Sequence, residues 1–364
     1  MSMGGSQRVM LNLLHHIDKE RFEPHVAVLD RGSVWLQDAP SHVKVHELGV
    51  LRARRAVFPL ARLCRKIRPQ AVLSTSAYLN TTVMTTRALL PKGTSRALFY
   101  EGGDVLTYEG EDIISAQARG ACGRFRFFIY KHVYRGADLV ICQSDYMKEQ
   151  LIRQFGLEPT KVVRIYNPVD IDAITQLAEA QPRPLPDAGP NLVAVGRFSH
   201  EKGFDLLLQC TPLVRQAIPT AVLTLVGDGP DLSALRVAQR ELRLESGVRF
   251  AGLRRNPYPL IKHADLLVLP SRSEALPNVV LEAIALGTPV VATDCTPALG
   301  EISSCTRRLR VAKDTTPAAL AAEIIHALAN STGRPKAGPE PQFEARFGIR
   351  HVIRQYEQAL WRSI

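Results

Sequence analysis

Between residues 191 and 294 the chain repeats one local pattern: a short, continuously apolar run, then a longer stretch with helical spacing. The runs are NLVAVG (191–196), AVLTLVGDG (221–229), VRFAG (248–252), DLLVLPS (265–271) and PVVATD (289–294). Amphipathic stretches such as DLSALRVAQREL (231–242) separate them. A strand wet on one face alternates apolar and polar residues, whereas an unbroken apolar run is a strand buried on both faces. Parallel strands also need a long crossover, for which a helix is the usual solution. The pattern therefore predicts an α/β fold with a parallel sheet covered by helices on both sides.

The first half repeats the pattern more loosely in HVAVLD (25–30), AVLSTS (71–76), RALFYE (96–101) and DLVICQS (138–144). AEAQPRPLPDAGP (178–190) separates the halves and has the Pro/Ala-rich composition of a linker. The residues after Pro341 read as one last helix, FEARFGIRHVIRQYEQALWRSI. We expect two Rossmann-like domains, 1–168 and 169–342, whose strand ends face each other across a cleft. Helix 343–364 is expected to pack back on the first. A chain of 364 residues is long for one core and comfortable for two.

Three loops at strand ends carry candidate chemistry. In PSRSEALPNVVLEAIALGTPVVATD (270–294), Pro277 suits a first helical position and Gly287 a C-terminal cap. The backbone N–H groups of Asn278, Val279 and Val280 are then expected to be unpaired, which makes an anion site. Glu274 and Glu282 bracket that helix start, and Glu282 shares a face with Asn278. The two acids suit sugar and ribose hydroxyls, or equally a dipole-complementing acid and a solvated one. In VAVGRFSHEKGFDLLLQC (193–210), Arg197 and Lys202 flank another strand-to-helix loop that begins at Gly196. A planar guanidinium and a mobile ammonium together suit a diphosphate without a metal. VGDGPD (226–231) offers Gly229 either for close approach to a ligand or for a tight turn. FAGLRRN (250–256) exposes backbone near Leu253 that could read a base.

Taken in order, G-R-x3-E-K-G (196–203), V-G-D-G-P (226–230), F-x-G (250–252) and E-x7-E enclosing L-P-N-V (274–282) resemble the family-4 retaining glycosyltransferases of the GT-B fold. Y-N-P-V-D (166–170) and the final helix fit the same resemblance, which covers almost the whole chain. It implies that Arg197 and Lys202 hold the diphosphate of a nucleotide-sugar donor, with UDP-sugar favoured, and that Glu282 holds the ribose. Glu274 would contact the transferred sugar, and Asn278 and Val279 would lend backbone N–H groups. Anomeric configuration would be retained and the leaving phosphate would take the acceptor proton. No metal or other cofactor is then expected.

The resemblance extends to G-G-S-Q-R (4–8), where Gly4 and Gly5 would approach the phosphate and acceptor ahead of a helix from about Gln7. Relatives place a strand before that loop, so we expect a start codon assigned too late or a truncated piece. Three departures stand out. Glu101 matches an acceptor-side position, but Gly102 and Gly103 replace the residues after it and leave Asp104 as a candidate contact. Ala275 stands where a glycine is usual. Ala298-Leu299-Gly300-Glu301 lacks the arginine of the related G-P-R-E, which leaves donor identity open. Asp170-Ile171-Asp172 mimics a metal–diphosphate motif but lies at the domain junction, where a hinge turn is the better reading.

Of the net charge of +11, roughly +9 precedes residue 166. It concentrates in LRARRAVFPLARLCRKIRP (51–69) and RGACGRFRFFIYKHVYRGAD (119–138), where cations alternate with large apolar residues. These are either solvated helix faces or a surface for the anionic inner membrane and a lipid-linked or glycan acceptor. No nucleic-acid motif accompanies the charge, so nucleic acid is not expected as a partner. The six cysteines show no metal-ligand spacing, and no signal-peptide core or membrane-length apolar run is present. The expectation is a cytoplasmic protein, peripheral on the membrane where the basic surface is used. Two other activities fit the architecture: a nucleotide-sugar epimerase and a non-catalytic nucleotide-sugar-binding relative.

Overall fold

The computed structural model describes residues 5–30, 37–91, 93, 95–101, 107–108, 111–112, 121–180, 184–186, 189–331 and 338–363. The chain forms two compact units, Met3–Pro168 with Ile349–Ile364, and Val169–Gly348.

The first unit opens with α1 (Gly5–His16), β1 (His25–Val28), β2 (Lys44–Glu47), α2 (Val57–Ile67), β3 (Ala71–Ser74) and α3 (Ala77–Ala88). It continues with β4 (Arg96–Glu101), the short hairpin β5 (Thr107–Tyr108) and β6 (Glu111–Asp112), α4 (Ala121–Arg135), β7 (Leu139–Cys142), α5 (Asp145–Phe155) and β8 (Val162–Arg164). β3, β4, β7 and β8 form a parallel sheet in that order, and β1 pairs in parallel with β2. Strand β7 is buried at all four positions, as its unbroken Leu-Val-Ile-Cys run requires.

In the second unit α6 (Ile171–Glu179) precedes β9 (Asn191–Val195), α7 (Phe204–Ala217), β10 (Val222–Val226), α8 (Leu232–Glu241) and β11 (Val248–Gly252). Then come α9 (Tyr258–His263), β12 (Leu266–Leu269), α10 (Asn278–Ala285), β13 (Val290–Ala292), α11 (Ala298–Ser303), β14 (Leu309–Val311), α12 (Pro317–Ser331) and α13 (Pro341–Phe347). Its six strands are all parallel, in the order β11-β10-β9-β12-β13-β14. Counted from β9 as the first, this is the Rossmann order 3-2-1-4-5-6. The chain winds outward from β9 to β11, then returns to place β12 on the other side of β9. Connections leaving β9 and β12 therefore diverge, and the gap between them is where such sheets bind ligands.

The last helix, α14 (Ile349–Ser363), belongs to the first unit. Its Val352, Ile353 and Tyr356 are buried with Val9 and Leu13 of α1 and with Leu98, Tyr100 and Ile141 of the sheet. The residues after Pro341 are thus two helices rather than the one expected, with a break at Gly348. Gly348 has an extended backbone (φ −61°, ψ 138°), and beside it the Val169 amide donates to the Phe347 carbonyl at 2.8 Å. The expected linker also begins later, because α6 runs through Glu179. Strands β2, β8 and β14 went unread. Each has three or four residues, lies at the edge of its sheet, and is at least partly exposed, so it lacks a continuous apolar run.

Two close approaches weld the loops above the second sheet. Gly203 is left-handed (φ 64°), and a Cβ there would overlap the Pro270 carbonyl after β12. A Cβ on Gly229 would strike the Phe198 backbone, and Phe198 in turn donates its amide to the Asp228 carbonyl at 2.9 Å. Gly203→Ala combines a disfavoured φ with a backbone clash and should destabilise the second unit by about 2 kcal/mol or more. Thermal unfolding of the variant beside wild type measures this; an unchanged Tm would show that the two loops separate without cost.

Candidate active site

The loop leaving β9 runs through Gly196 and Arg197, tightens into one 3-10 turn at His200–Lys202, and reaches α7 through Gly203. The loop leaving β12 carries Ser271, Arg272 and Glu274 before α10. Divergence of the two connections brings these side chains together. Lys202 Nζ donates to Glu274 Oε1 at 2.7 Å, and Ser271 Oγ donates to the same oxygen at 2.8 Å. Only 12% of the Glu274 side chain is exposed, against 30% for Lys202. Burial works to discharge Lys202, but the Glu274 carboxylate beside it and Glu201 in the same turn hold its pKa above the ordinary lysine value. The Cys295 thiol is pushed up to about 12, by burial first and by the Glu274 charge second, so it stays neutral.

Arg272 fastens one loop to the other. Its guanidinium donates to Asp205 Oδ1 at 2.7 Å, to Asp205 Oδ2 at 2.6 Å and to the His200 carbonyl at 2.8 Å. Its backbone amide donates to the Glu201 carbonyl at 2.8 Å. Asp205 lies in the first turn of α7, where a carboxylate also suits the helix dipole. The Arg272 hydrogen bonds lower the Asp205 pKa against the opposing effect of burial, and the same bonds raise that of Arg272.

The other expected residues take distinct places. The Arg197 side chain is exposed and has no hydrogen bond or ion pair among the described residues, while its carbonyl accepts the Ser199 amide at 3.0 Å. Glu282 is 6% exposed, with Tyr258 Oη 3.5 Å from its Oε1. Leu253 follows β11 and is 54% exposed. The Gly196 amide is spent on the Val226 carbonyl at 3.0 Å and the Gly229 amide on Asp228 Oδ1 at 2.8 Å. Asn278 and Val279 open α10, but Val280 is not an unpaired donor: its N–H reaches the Pro277 carbonyl at 3.1 Å. Pro277 (φ −74°, ψ 106°) stands before the helix as its cap rather than inside it, which turns that carbonyl toward the first turn. In the first unit Gly5 opens α1, and Glu101 ends β4 in register with Cys142 of β7. The Glu101 side chain, Gly4 and Asp104 lie outside the described residues.

Among the described residues no three His, Cys, Asp or Glu side chains converge as metal ligands. Asp170 caps α6, its Oδ1 accepting the Ala173 N–H at 3.1 Å. Residues missed by sequence reasoning are Ser271, Arg272, Asp205, Cys295 and Tyr258. Ser271 and Arg272 stand between a strand end and Glu274, and that position was the available signal. Asp205 reads in sequence only as a helix-start acid.

Comparison with known proteins agrees with this geometry. Residues 3–173 match the model of "Glycosyltransferase Family 4" and residues 189–330 that of "Glycosyl transferases group 1". An uncharacterized glycosyltransferase of Methanocaldococcus jannaschii is 30% identical over 186 residues, 50% of this chain and 46% of that protein. The chain therefore spans about half the length of that relative. The lipopolysaccharide core biosynthesis glycosyltransferase LpsE of Rhizobium meliloti is 24% identical over 294 residues, 80% of this chain and 76% of that one. Among solved structures, Anabaena HepE in complex with UDP and glucose superposes with a TM-score of 0.79 at 18% identity, covering 99% of this chain and 97% of that one. A two-unit α/β fold with a Rossmann-ordered sheet and the E-x7-E segment at its switch point is that of the GT-B proteins. The chain belongs to the family-4 glycosyltransferases.

The Asp205–Arg272 pair has a pH signature. The native carboxyl is lowered below its ordinary value near pH 4, so its contribution is complete above about pH 4 and fades as pH falls through the native pKa. Asp205→Asn should lower Tm by about 2–4 °C at pH 7, since the pair is bidentate but half in solvent. The deficit should shrink as the pH is lowered from about 4 toward the native pKa of Asp205. A deficit that stays the same size across that range would assign the loss to packing instead of charge.

Proposed function

We propose that the protein is a retaining glycosyltransferase that moves a sugar from a nucleoside-diphosphate sugar, UDP-linked in the favoured case, to a lipid-linked or glycan acceptor. The observation carrying this is the contact of Lys202 with Glu274 at the switch point, where one loop contributes a half-buried cation and the other a largely buried carboxylate. Lys202, with the exposed Arg197 nearby in sequence, offsets the diphosphate charge, while Glu274 accepts from sugar hydroxyls and faces the ring as it becomes cationic. Breaking the bond between the anomeric carbon and the phosphate oxygen leaves negative charge on the diphosphate. Fixed cations favour that charge more in the transition state than in the ground state. The acceptor hydroxyl forms the new glycosidic bond and its proton passes to the departing phosphate oxygen, so neither a protein base nor a metal is required. The UDP and glucose named with the Anabaena structure support the donor class, and the lipopolysaccharide role named for LpsE supports a lipid-linked glycan acceptor.

The basic first unit supports a membrane-facing acceptor. Phe58 on α2 is 76% exposed, and Phe125 and Phe128 on α4 are each 65% exposed, within the two cation-rich stretches. Aromatic residues set among Arg and Lys suit an interface with anionic lipid. No helix among the described residues is long and apolar enough to cross a membrane.

Incubating the protein with a panel of nucleoside-diphosphate sugars and a lipid-linked acceptor tests the activity. We expect transfer from one donor with retained anomeric configuration by NMR, unaffected by EDTA, and about 100-fold slower or worse in Glu274→Gln. Inverted product, or a Glu274→Gln variant at the wild-type rate, would overturn the reading.

A further inference from the structure

A further concave site is lined entirely by residues of the first unit. It is a cavity of about 650 Å³ between the edge strand β8 and the last turns of α14, reaching the start of β4 at Arg96 and of β7 at Asp138. That volume is within the range of small-molecule sites.

Helix spacing explains why it is open. Gln355, Gln358, Ala359 and Arg362 recur at i, i+3, i+4 and i+7, so they share one face of α14, and that face borders the cavity. The neighbouring Val352, Ile353, Tyr356 and Leu360 fill the core. A face packed only against the sheet would carry large apolar residues, but here two amides and an arginine surround an alanine. The half-buried Val163 of the sheet side supplies an apolar wall, with Ile165 buried beside it in the core.

Four cations border this space, Arg96, Lys161, Arg164 and Arg362, against the single carboxylate of Asp138. That carboxylate is already committed: Arg87 reaches it at 2.8 Å, Arg96 at 3.2 Å, and the Ala97 amide at 2.8 Å. Arg164 is held 3.3 Å from Asp145 and lies 4.1 Å over the Tyr166 ring. Among the described residues neither the Lys161 ammonium nor the Arg362 guanidinium has a hydrogen bond or ion pair. A concave wall focuses the field of such like charges and draws an anion to it.

We infer that this cavity binds a phosphorylated ligand, Lys161 and Arg362 meeting the phosphate oxygens, the two glutamines donating beside them, and the apolar wall taking the remainder of the molecule. The phosphate belongs either to a soluble metabolite or to a phospholipid headgroup.

Calorimetric titration with inorganic pyrophosphate, done on the whole chain in an Arg197→Gln/Lys202→Gln background, removes both cations assigned to the diphosphate in the second unit and leaves the first-unit site to be read. We expect Lys161→Gln/Arg362→Gln to weaken binding at least about ten-fold with Tm unchanged, while Arg153→Gln/Arg249→Gln, an equal charge loss on exposed side chains, does not. Flotation with phosphatidylglycerol and phosphatidylcholine vesicles separates the two sources. A parallel loss of phosphatidylglycerol binding assigns a lipid headgroup, and unchanged flotation assigns a soluble ligand. Equal weakening by both double variants, or by neither, would overturn the inference.

Discussion

Everything at the candidate active site depends on one topological constraint: β9 and β12 are neighbours in a parallel sheet, yet the connections that leave them diverge. Backbone strands cannot fill the gap above that junction, so loop side chains must. The second unit answers with two ion pairs, Lys202 with Glu274 from loop to loop and Asp205 of the first turn of α7 with Arg272. Asp205–Arg272 is bidentate and partly solvated; Lys202–Glu274 is more deeply buried and leaves Ser271 as a further donor.

The two pairs have different physical standing. A buried pair recovers in Coulomb energy roughly what it loses in desolvation, so Lys202–Glu274 is weak as a source of stability. What it does is keep Lys202 charged in a place where burial works to discharge it. In the function proposed above, the donor diphosphate would take the place of Glu274 as partner of Lys202, at a site organised before its ligand arrives. Asp205–Arg272, together with the Gly203 contact to Pro270, ties the two loops to each other.

Much of this was legible in the chain. The runs 191–196, 221–229, 248–252, 265–271 and 289–294 each contain a strand, because a mostly apolar run of that length between helical stretches is what a covered parallel sheet requires. Glu274 and Lys202 were legible as candidates because they stand in loops after strand ends, and Glu282 because it shares a helix face with Asn278. Edge strands such as Val162–Arg164 were not, since half of each such strand faces solvent and three residues make no periodicity. The break at Gly348 was hidden too: its extended conformation answers to the pairing of Phe347 with Val169, far away in sequence. Likewise the pairing of Val280 with Pro277 depends on a single ψ angle that composition does not reveal.

By itself, the amino-acid sequence determined which segments are buried strands, that they run parallel, and which polar residues stand at their carboxyl ends. These follow from short-range chemistry, namely hydrophobic period, glycine and proline positions, and the need for helical crossovers. The tertiary structure alone decided which of those polar residues meet. Lys202 and Glu274 are 72 positions apart, and so distant a pair is joined only through the order of strands in the sheet. The same holds for Arg272 with Asp205, and for the cations around α14 and β8. Their significance lies in distances that no local pattern encodes, because sheet order is set by the packing of whole elements.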